Sequence, residues 1–335
     1  MKTNRSVIKR HFVFAVTVLA LVGLVISGSS QAADFPEKGK PIMLIVPFGP
    51  GGSTDVAARN LAPYLEEALG TTVEVVDKPG AGSQVGITYA LTQKPDGYTI
   101  FYANIPGPQT MWLNPERKTV FKSKKDFTFL GLQLKDPGAI AVQYDGPYKN
   151  LNDLISAAKA NPGKLIAATT GLLSDDHLAI IDVEKQAGVK FAIVHFDSNP
   201  ERDMNLMSGK IAASFGNCGS FYAPMMNKKV RIIAAMDDQR WSKLPDIPTA
   251  EEQGVKTYQA SARGLYAPPG MKPEVQKILA DAIKKAVSNP EHQKKMDAAG
   301  FPVRYYSPAE HEAYWDRVTA WVTPVFTEAY KDSKK

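Results

Sequence analysis

Two strand-to-helix junctions near the start of the chain, each built on a glycine loop, constrain this sequence most. In "IMLIVPFGPGGSTDVAARNLAPYLEEALG" (42–70) an apolar, β-branched run stops at a Gly/Pro loop. An amphipathic helix pattern follows at once, with Leu61, Leu65 and Leu69 on one face and Gly70 as its stop. The stretch "TTVEVVDKPGAGSQVGITYALTQ" (71–93) repeats the arrangement, and "YTIFYA" (98–103) supplies a third strand after the turn "KPDG". This order reads as a βαβαβ unit with a parallel sheet and right-handed crossovers.

The alternation continues downstream. Strand patterns fall at 139–143, 165–170, 191–196, 211–215 and 230–236, and the helix patterns "LNDLISAAKANPG" and "DDHLAIIDVEKQAG" each end at a glycine. The segment "QASARGLYAPPG" (259–270) reads as one more strand, ended by Pro268, Pro269 and Gly270, and beyond it the pattern is helical almost to the end. The expectation is an α/β protein of two lobes, each a mainly parallel sheet flanked by helices. The chain is expected to cross between them near 132–137 and near 258–263. Lobe 1 then comprises 33–134 with 261–335, and lobe 2 comprises 135–260. No fixed-period repeat is present.

Residues 1–32 stand apart from this pattern. Lys2, Arg5, Lys9 and Arg10 precede an uncharged apolar run of 15 residues (12–26), and Ser30 and Ala32 are small residues suited to cleavage before Ala33. A membrane span needs about 20 apolar residues, so the reading is a cleaved signal peptide and a periplasmic mature protein. That segment carries four of the 40 basic residues and none of the 34 acidic ones. The high isoelectric point is therefore partly an export signal, and no nucleic-acid partner is expected. Cys218 is the only cysteine, which excludes an intrachain disulfide and a multi-cysteine metal site; a small buried residue is the simplest role for it.

In parallel α/β sheets, ligands sit beyond the carboxyl ends of strands, where helix N-termini present free N–H groups and a favourable dipole. Gly51 and Gly52 in the first loop, and Gly80 and Gly82 in the second, remove side chains that would block close approach. Ser53, Thr54 and Ser83 place hydroxyls at the helix starts, to cap or to face a ligand. If the two strands are neighbours, the loops form one cradle for a carboxylate or phosphate; the alternative is two tight turns. "GPGGST" lacks the lysine of the phosphate loop, and "GAGSQVG" is one residue longer than the common dinucleotide fingerprint. The strand after it ends at Asn104 with no acid for a ribose. Asp55 caps its own helix, pairs with Arg59 at i+4, or meets a ligand ammonium or water.

At these residues the sequence resembles the substrate-binding receptors of tripartite tricarboxylate transporters, also called Bug proteins. The likeness is carried by "PFGPGGSTDVAARNLAPYLEEALG", "VVDKPGAGSQVGITYALTQKPDGYTI", "LPDIPTAEEQG" and "GLYAPPGMKPEVQKILADAIKKAV", in the family's order and spacing. It implies a type II periplasmic-binding (Venus flytrap) fold that closes over a small organic carboxylate, whether a di- or tricarboxylate or an aromatic acid. It also implies delivery to membrane permease subunits by a monomer without a cofactor. Both glycine loops grip a ligand carboxylate in the family. The corresponding positions are Phe48, Gly51, Gly52, Ser53, Thr54 and Asp55, then 79–86, including Gly80, Ala81, Gly82, Ser83 and Gln84. In lobe 2 the resemblance retains Gly171, Ser174 and His177, whereas Leu172, Leu173, Phe196 and Asp197 depart from the family's usual residues. Asn104, Thr170, Asp197 and Asn217 complete the candidate ligand-binding set.

His177 lies one turn into a helix pattern and reads as a packed or capping histidine before it reads as a ligand contact. For a diacid, a second anion site across the cleft is required. Arg263, on the returning strand, is the first choice for it, and Arg202, flanked by Glu201 and Asp203, is the second. No G-x-S-x-G or H-E-x-x-H motif is present, so a receptor is favoured over a secreted hydrolase. A sensor presenting its ligand to a membrane kinase needs the same clamshell and stands as the alternative.

Overall fold

The computed structural model describes residues 35–196 and 199–334. It begins with β1 (Ile42–Val46), α1 (Ser53–Leu69), β2 (Val73–Asp77), a 3-10 turn (Ala81–Ser83), α2 (Gln84–Leu91) and β3 (Thr99–Ile105). Strand β1 lies between the other two and parallel to both, with Leu44 opposite Val75 and Ile100. Both faces of this trio are apolar because helices cover both. Leu44 and Ile100 pack with Leu61 and Leu65 of α1, and Ile45 and Phe101 pack with Ile87 and Ala90 of α2. Helix α1 stops at Gly70, whose φ of +69° lets its N–H reach the Glu66 carbonyl.

After α3 (Gly107–Leu113) comes β4 (Thr128–Gln143), then α4 (Leu151–Ala160), β5 (Ile166–Thr169), α5 (Asp175–Ala187) and β6 (Ala192–His195). Next are α6 (Asn199–Met207), β7 (Ala213–Asn217), α7 (Cys218–Met226), β8 (Val230–Met236) and β9 (Ala260–Ala267). The chain finishes with α8 (Pro273–Val287), α9 (Pro290–Ala298), β10 (Val303–Tyr306) and α10 (Pro308–Asp332). Strands β6, β5 and β7 form a second parallel trio. The strands run in the order β2-β1-β3-β9-β4-β7-β5-β6, with β8 and β10 also paired to β4.

The two trios are joined by β4, which was expected as a short strand over 139–143 after a crossing segment. It is instead one strand of 16 residues. Residues 128–137 pair with β9, and from Gly138 the partners become β7 and β8. A Cβ at Gly138 would lie 1.8 Å from the Gln259 Oε1, so a larger residue would displace the ends of the Gln259 and Met236 side chains. Antiparallel pairing through β9, β4, β8 and β10 thus extends both trios. Strand β10 lies within the stretch read as helical; it is four residues long and pairs with β4 at Val303 and Tyr306, too short for a period to register.

Helix α10 contributes to two cores. Its first half sets Tyr314 and Trp315 against Phe101, Phe127 and Tyr266. Its second half sets Val322, Val325 and Phe326 against Leu178 and Ile181 of α5. Cys218 is buried, and its thiol faces the Gly138 carbonyl. Residues 1–32 lie outside the described residues.

Candidate functional site

The first glycine loop leaves β1 and enters α1 without a side-chain cap. The first helical bond runs from the Val56 N–H to the Gly52 carbonyl, so the N–H groups of Ser53, Thr54 and Asp55 precede the ladder. Asp55 is buried and holds the loop closed. One carboxylate oxygen accepts the Gly51 N–H at 2.8 Å and the other lies 2.6 Å from the Arg59 Nε. Arg59 also reaches Asp77 at 2.7 Å, joining α1 to the end of β2.

The second loop is left-handed for four residues, with φ of +136° at Gly80, +47° at Ala81, +61° at Gly82 and +82° at Ser83. For alanine and serine that geometry is strained, the kind of conformation that surrounding structure must enforce. It directs the chain into α2, whose Gly86 packs directly on the first junction. A Cβ there would lie 2.7 Å from both Pro47 and the Lys78 carbonyl. The two loops are therefore neighbours. Above the second loop, the Arg117 Nη1 donates to the Ala81 carbonyl at 3.2 Å, and the Gln84 amide donates to the Lys118 carbonyl at 2.6 Å.

Arg263 is placed differently from the expectation that it answers the cradle from across the cleft. On β9 it lies opposite Asn104 of β3, and its guanidinium points to the first loop. Its Nη2 donates to the Ser53 hydroxyl at 2.7 Å and its Nε to the Thr54 hydroxyl at 3.2 Å, while Thr54 donates to the Asn104 side chain at 3.3 Å. Arg263 therefore buttresses the first loop. Arg202 is also committed, fully buried against Asp203 and the Phe215 carbonyl with Asp176 at 3.6 Å. The Arg263 Nη1 and the Arg202 Nη2 are buried without a hydrogen-bond partner among the described residues.

On the second half, α5 begins under its cap Ser174, whose hydroxyl accepts the His177 N–H and lies 3.0 Å from the Thr169 hydroxyl. The His177 Nδ1 accepts the Leu173 N–H at 2.9 Å, and burial, aided by His195, pushes its pKa down to about 4. This is a neutral capping histidine. Asp175 accepts the Gln259 amide at 2.7 Å. Asp176 accepts the Thr170 hydroxyl, and burial with Asp175 nearby pushes it up to about 8. Asn217 spends its amide on the Asp136 carbonyl, and the Asp136 carboxylate accepts the Gly219 N–H. Asp197 lies outside the described residues.

A cavity of about 670 Å³ lies between these elements. Of the sequence-derived set, Phe48, Gly82, Ser83, Asn104, Thr170, Gly171 and Ser174 line it. Gly51, Gly52, Ser53, Thr54, Asp55, Gly80, Ala81, Gln84, Asn217 and Arg263 stand behind or beside that wall. Sequence reasoning missed Gly107 and Thr110 of α3, Arg117, Asp175, Ser261, Phe326 and Tyr330 of α10, and Lys334 just beyond that helix. Lys334 and the Tyr330 hydroxyl both meet Glu116, so the end of α10 closes one side of the cavity. No periodic signal marks "NPERK", and nothing local links Glu116 to a lysine 218 positions away. A second cavity of about 370 Å³ lies beside Lys135, Lys256, Tyr258, Tyr314 and Trp321; Lys135 is paired with Asp237, and neither glycine loop reaches the cavity.

The chain was compared with known proteins. A family model described as "Tripartite tricarboxylate transporter family receptor" matches residues 57–317. The BugT protein of Bordetella pertussis is 28% identical over 276 residues, 81% of this chain and 85% of that protein. A ligand-free TctC solute-binding protein from Polaromonas superposes with a TM-score of 0.79 at 27% identity, covering 88% of this chain and 99% of that one. Rpa4515 of R. palustris, solved with adipate, gives 0.73 at 25% identity, with 88% and 98% covered.

Proposed function

Because the chain belongs to the family of tripartite tricarboxylate transporter receptors, solute-binding proteins with a two-lobed type II fold, we propose that it captures a small organic carboxylate in the 670 Å³ cleft and delivers it to the membrane subunits of a tripartite transporter. The observation that carries this reading is the convergence of the two glycine loops at one wall of the cleft. The Ser83 hydroxyl and the Arg117 guanidinium line that wall with Phe48 and Gly82, next to the start of α1, a set of donors suited to a carboxylate. Arg263, Asp55 and Gly86 hold the loops in register behind it.

In this proposal residues 33–134 with 261–335 form one lobe and 135–260 the other, with the end of α10 bridging them. The chain is exported, loses residues 1–32 and works in the periplasm as a monomer that performs no chemistry on its ligand. Binding favours the closed arrangement in which α5 and the glycine loops face the same ligand. The adipate held by Rpa4515 supports a carboxylate ligand.

A thermal-shift screen of organic acids on the mature protein tests the reading, since a ligand that binds the native state raises the melting temperature by mass action. Carboxylates are expected to raise it, and their uncharged amides are not. Equal shifts from acid and amide, or none from any carboxylate, contradict it.

A further inference from the structure

The wall facing the glycine loops carries acids where a dicarboxylate would need a cation. Asp175 lines the cleft at the first turn of α5, next to Asp176. Its carboxylate accepts the Gln259 amide. The first turn of α5, where an anion would be favoured, thus already carries two of the chain's own acids. Asp136 of β4 also acts on Asp175's surroundings, and Asp176 and Asp203 are buried nearby. Arg263 is the cation acting on Asp136 and Asp175, and Arg202 the one acting on Asp176 and Asp203. The Arg263 guanidinium bonds the Ser53 and Thr54 hydroxyls and that of Arg202 the Phe215 carbonyl, each with one Nη left without a partner among the described residues. Burial raises the pKa of Asp136, Asp175 and Asp203 as well as that of Asp176, and two guanidiniums serve these four carboxyl groups.

We propose that this wall selects a ligand whose carboxylate lies at the glycine loops and whose far end is an ammonium received by Asp175, an ω-amino acid in preference to a dicarboxylate. This rests on the carboxylate-receptor reading and adds the chemistry of the distal end. A second ligand carboxylate would face the Asp175 carboxyl, and two carboxylates sharing a site disfavour each other's ionised form, whereas an ammonium there favours the ionised Asp175. An ammonium would use the acceptor capacity Asp175 retains, since an ionised carboxylate offers about four lone-pair sites and the Gln259 amide takes one.

Calorimetric titrations of the mature protein test this with three series of matched chain length: succinate, glutarate and adipate; the corresponding ω-amino acids; and the corresponding monocarboxylates. The ω-amino acid of the favoured length is expected to bind at least about tenfold more tightly than its dicarboxylate. In Asp175→Asn that preference is expected to invert, with the dicarboxylate gaining and the monocarboxylate unchanged. A gain for one ligand cannot come from a damaged fold, and Asp175→Ser is expected to repeat it. A dicarboxylate that binds the unaltered protein as tightly as the ω-amino acid, or variants that change both equally, overturns the inference and leaves the receptor reading standing. Failure of all three series to bind overturns both.

Discussion

Replacing Arg263 by methionine separates a structural arginine from a ligand-binding one. The guanidinium donates to the Ser53 and Thr54 hydroxyls, and it is the cation acting on Asp136 and Asp175. Methionine fills much of the same volume and supplies no donor. Breaking a buried charge arrangement by removing one partner costs about 3–5 kcal/mol. Two compensations hold the loss toward about 3 kcal/mol: the desolvation of Arg263 itself disappears, and the orphaned carboxyls take up protons. At about 2–4 °C per kcal/mol for a chain somewhat smaller than this, the melting temperature should fall by roughly 6–12 °C. Urea unfolding of the mature protein, followed by circular dichroism, checks the free energy. Since Arg263 holds the first loop through Ser53 and Thr54, the affinity for monocarboxylates, which do not reach Asp175, should fall as well. Unchanged stability together with a selective loss of dicarboxylates would refute the argument and return Arg263 to the distal end of the cleft.

Three further perturbations follow from the same geometry. Gly86→Ala drives a Cβ to 2.7 Å from Pro47 and the Lys78 carbonyl, so it should cost about 1–3 kcal/mol by overpacking and weaken carboxylate binding by spreading the two loops; denaturant midpoints and calorimetry read both effects. Arg117→Ala removes an exposed side chain over the second loop; carboxylate affinity should drop about tenfold, as for a lost charge-assisted contact, with the free protein's stability within about 0.5 kcal/mol. His311 is fully buried beside the Tyr266 hydroxyl, and burial pushes its pKa from 6.5 down to about 3. A depressed histidine lends stability that is complete above pH 6.5 and is lost as pH falls toward 3, so His311→Gln should flatten the acid side of the stability profile between pH 6.5 and 4. A variant that loses stability on acidification as steeply as the unaltered protein would contradict this.

Much of the fold is written in local patterns. The β1, β2 and β3 runs, the Leu61–Leu65 stripe and the αL stop at Gly70 are each visible within a few residues, because strand and helix periods are short-range signals. What depends on pairing between distant segments was not legible. Strand β4 is long because β9 and β7 meet it end to end, and β10 exists because β4 offers an open edge. The site divides the same way. Glycine loops show in the sequence because their backbone geometry demands particular residues, whereas Arg117, Tyr330 and Lys334 reach the cleft only through the tertiary fold. Arg263 was found for its charge and location, but its direction follows from the register of β9 against β3, which sets it opposite Asn104 and toward Ser53. Asp175 carried no signal of its own within the helix pattern that it opens.

The central claim is that one carboxylate is held where the two glycine loops meet. Electron density from crystals grown with the carboxylate that most raises the melting temperature tests it directly. The account predicts the carboxylate within hydrogen-bond distance of the Ser83 hydroxyl and of first-turn N–H groups of α1 or α2, with Asp175 at the ligand's other end. Density beside Lys135 in the second cavity, with the cleft free of ligand, would contradict it.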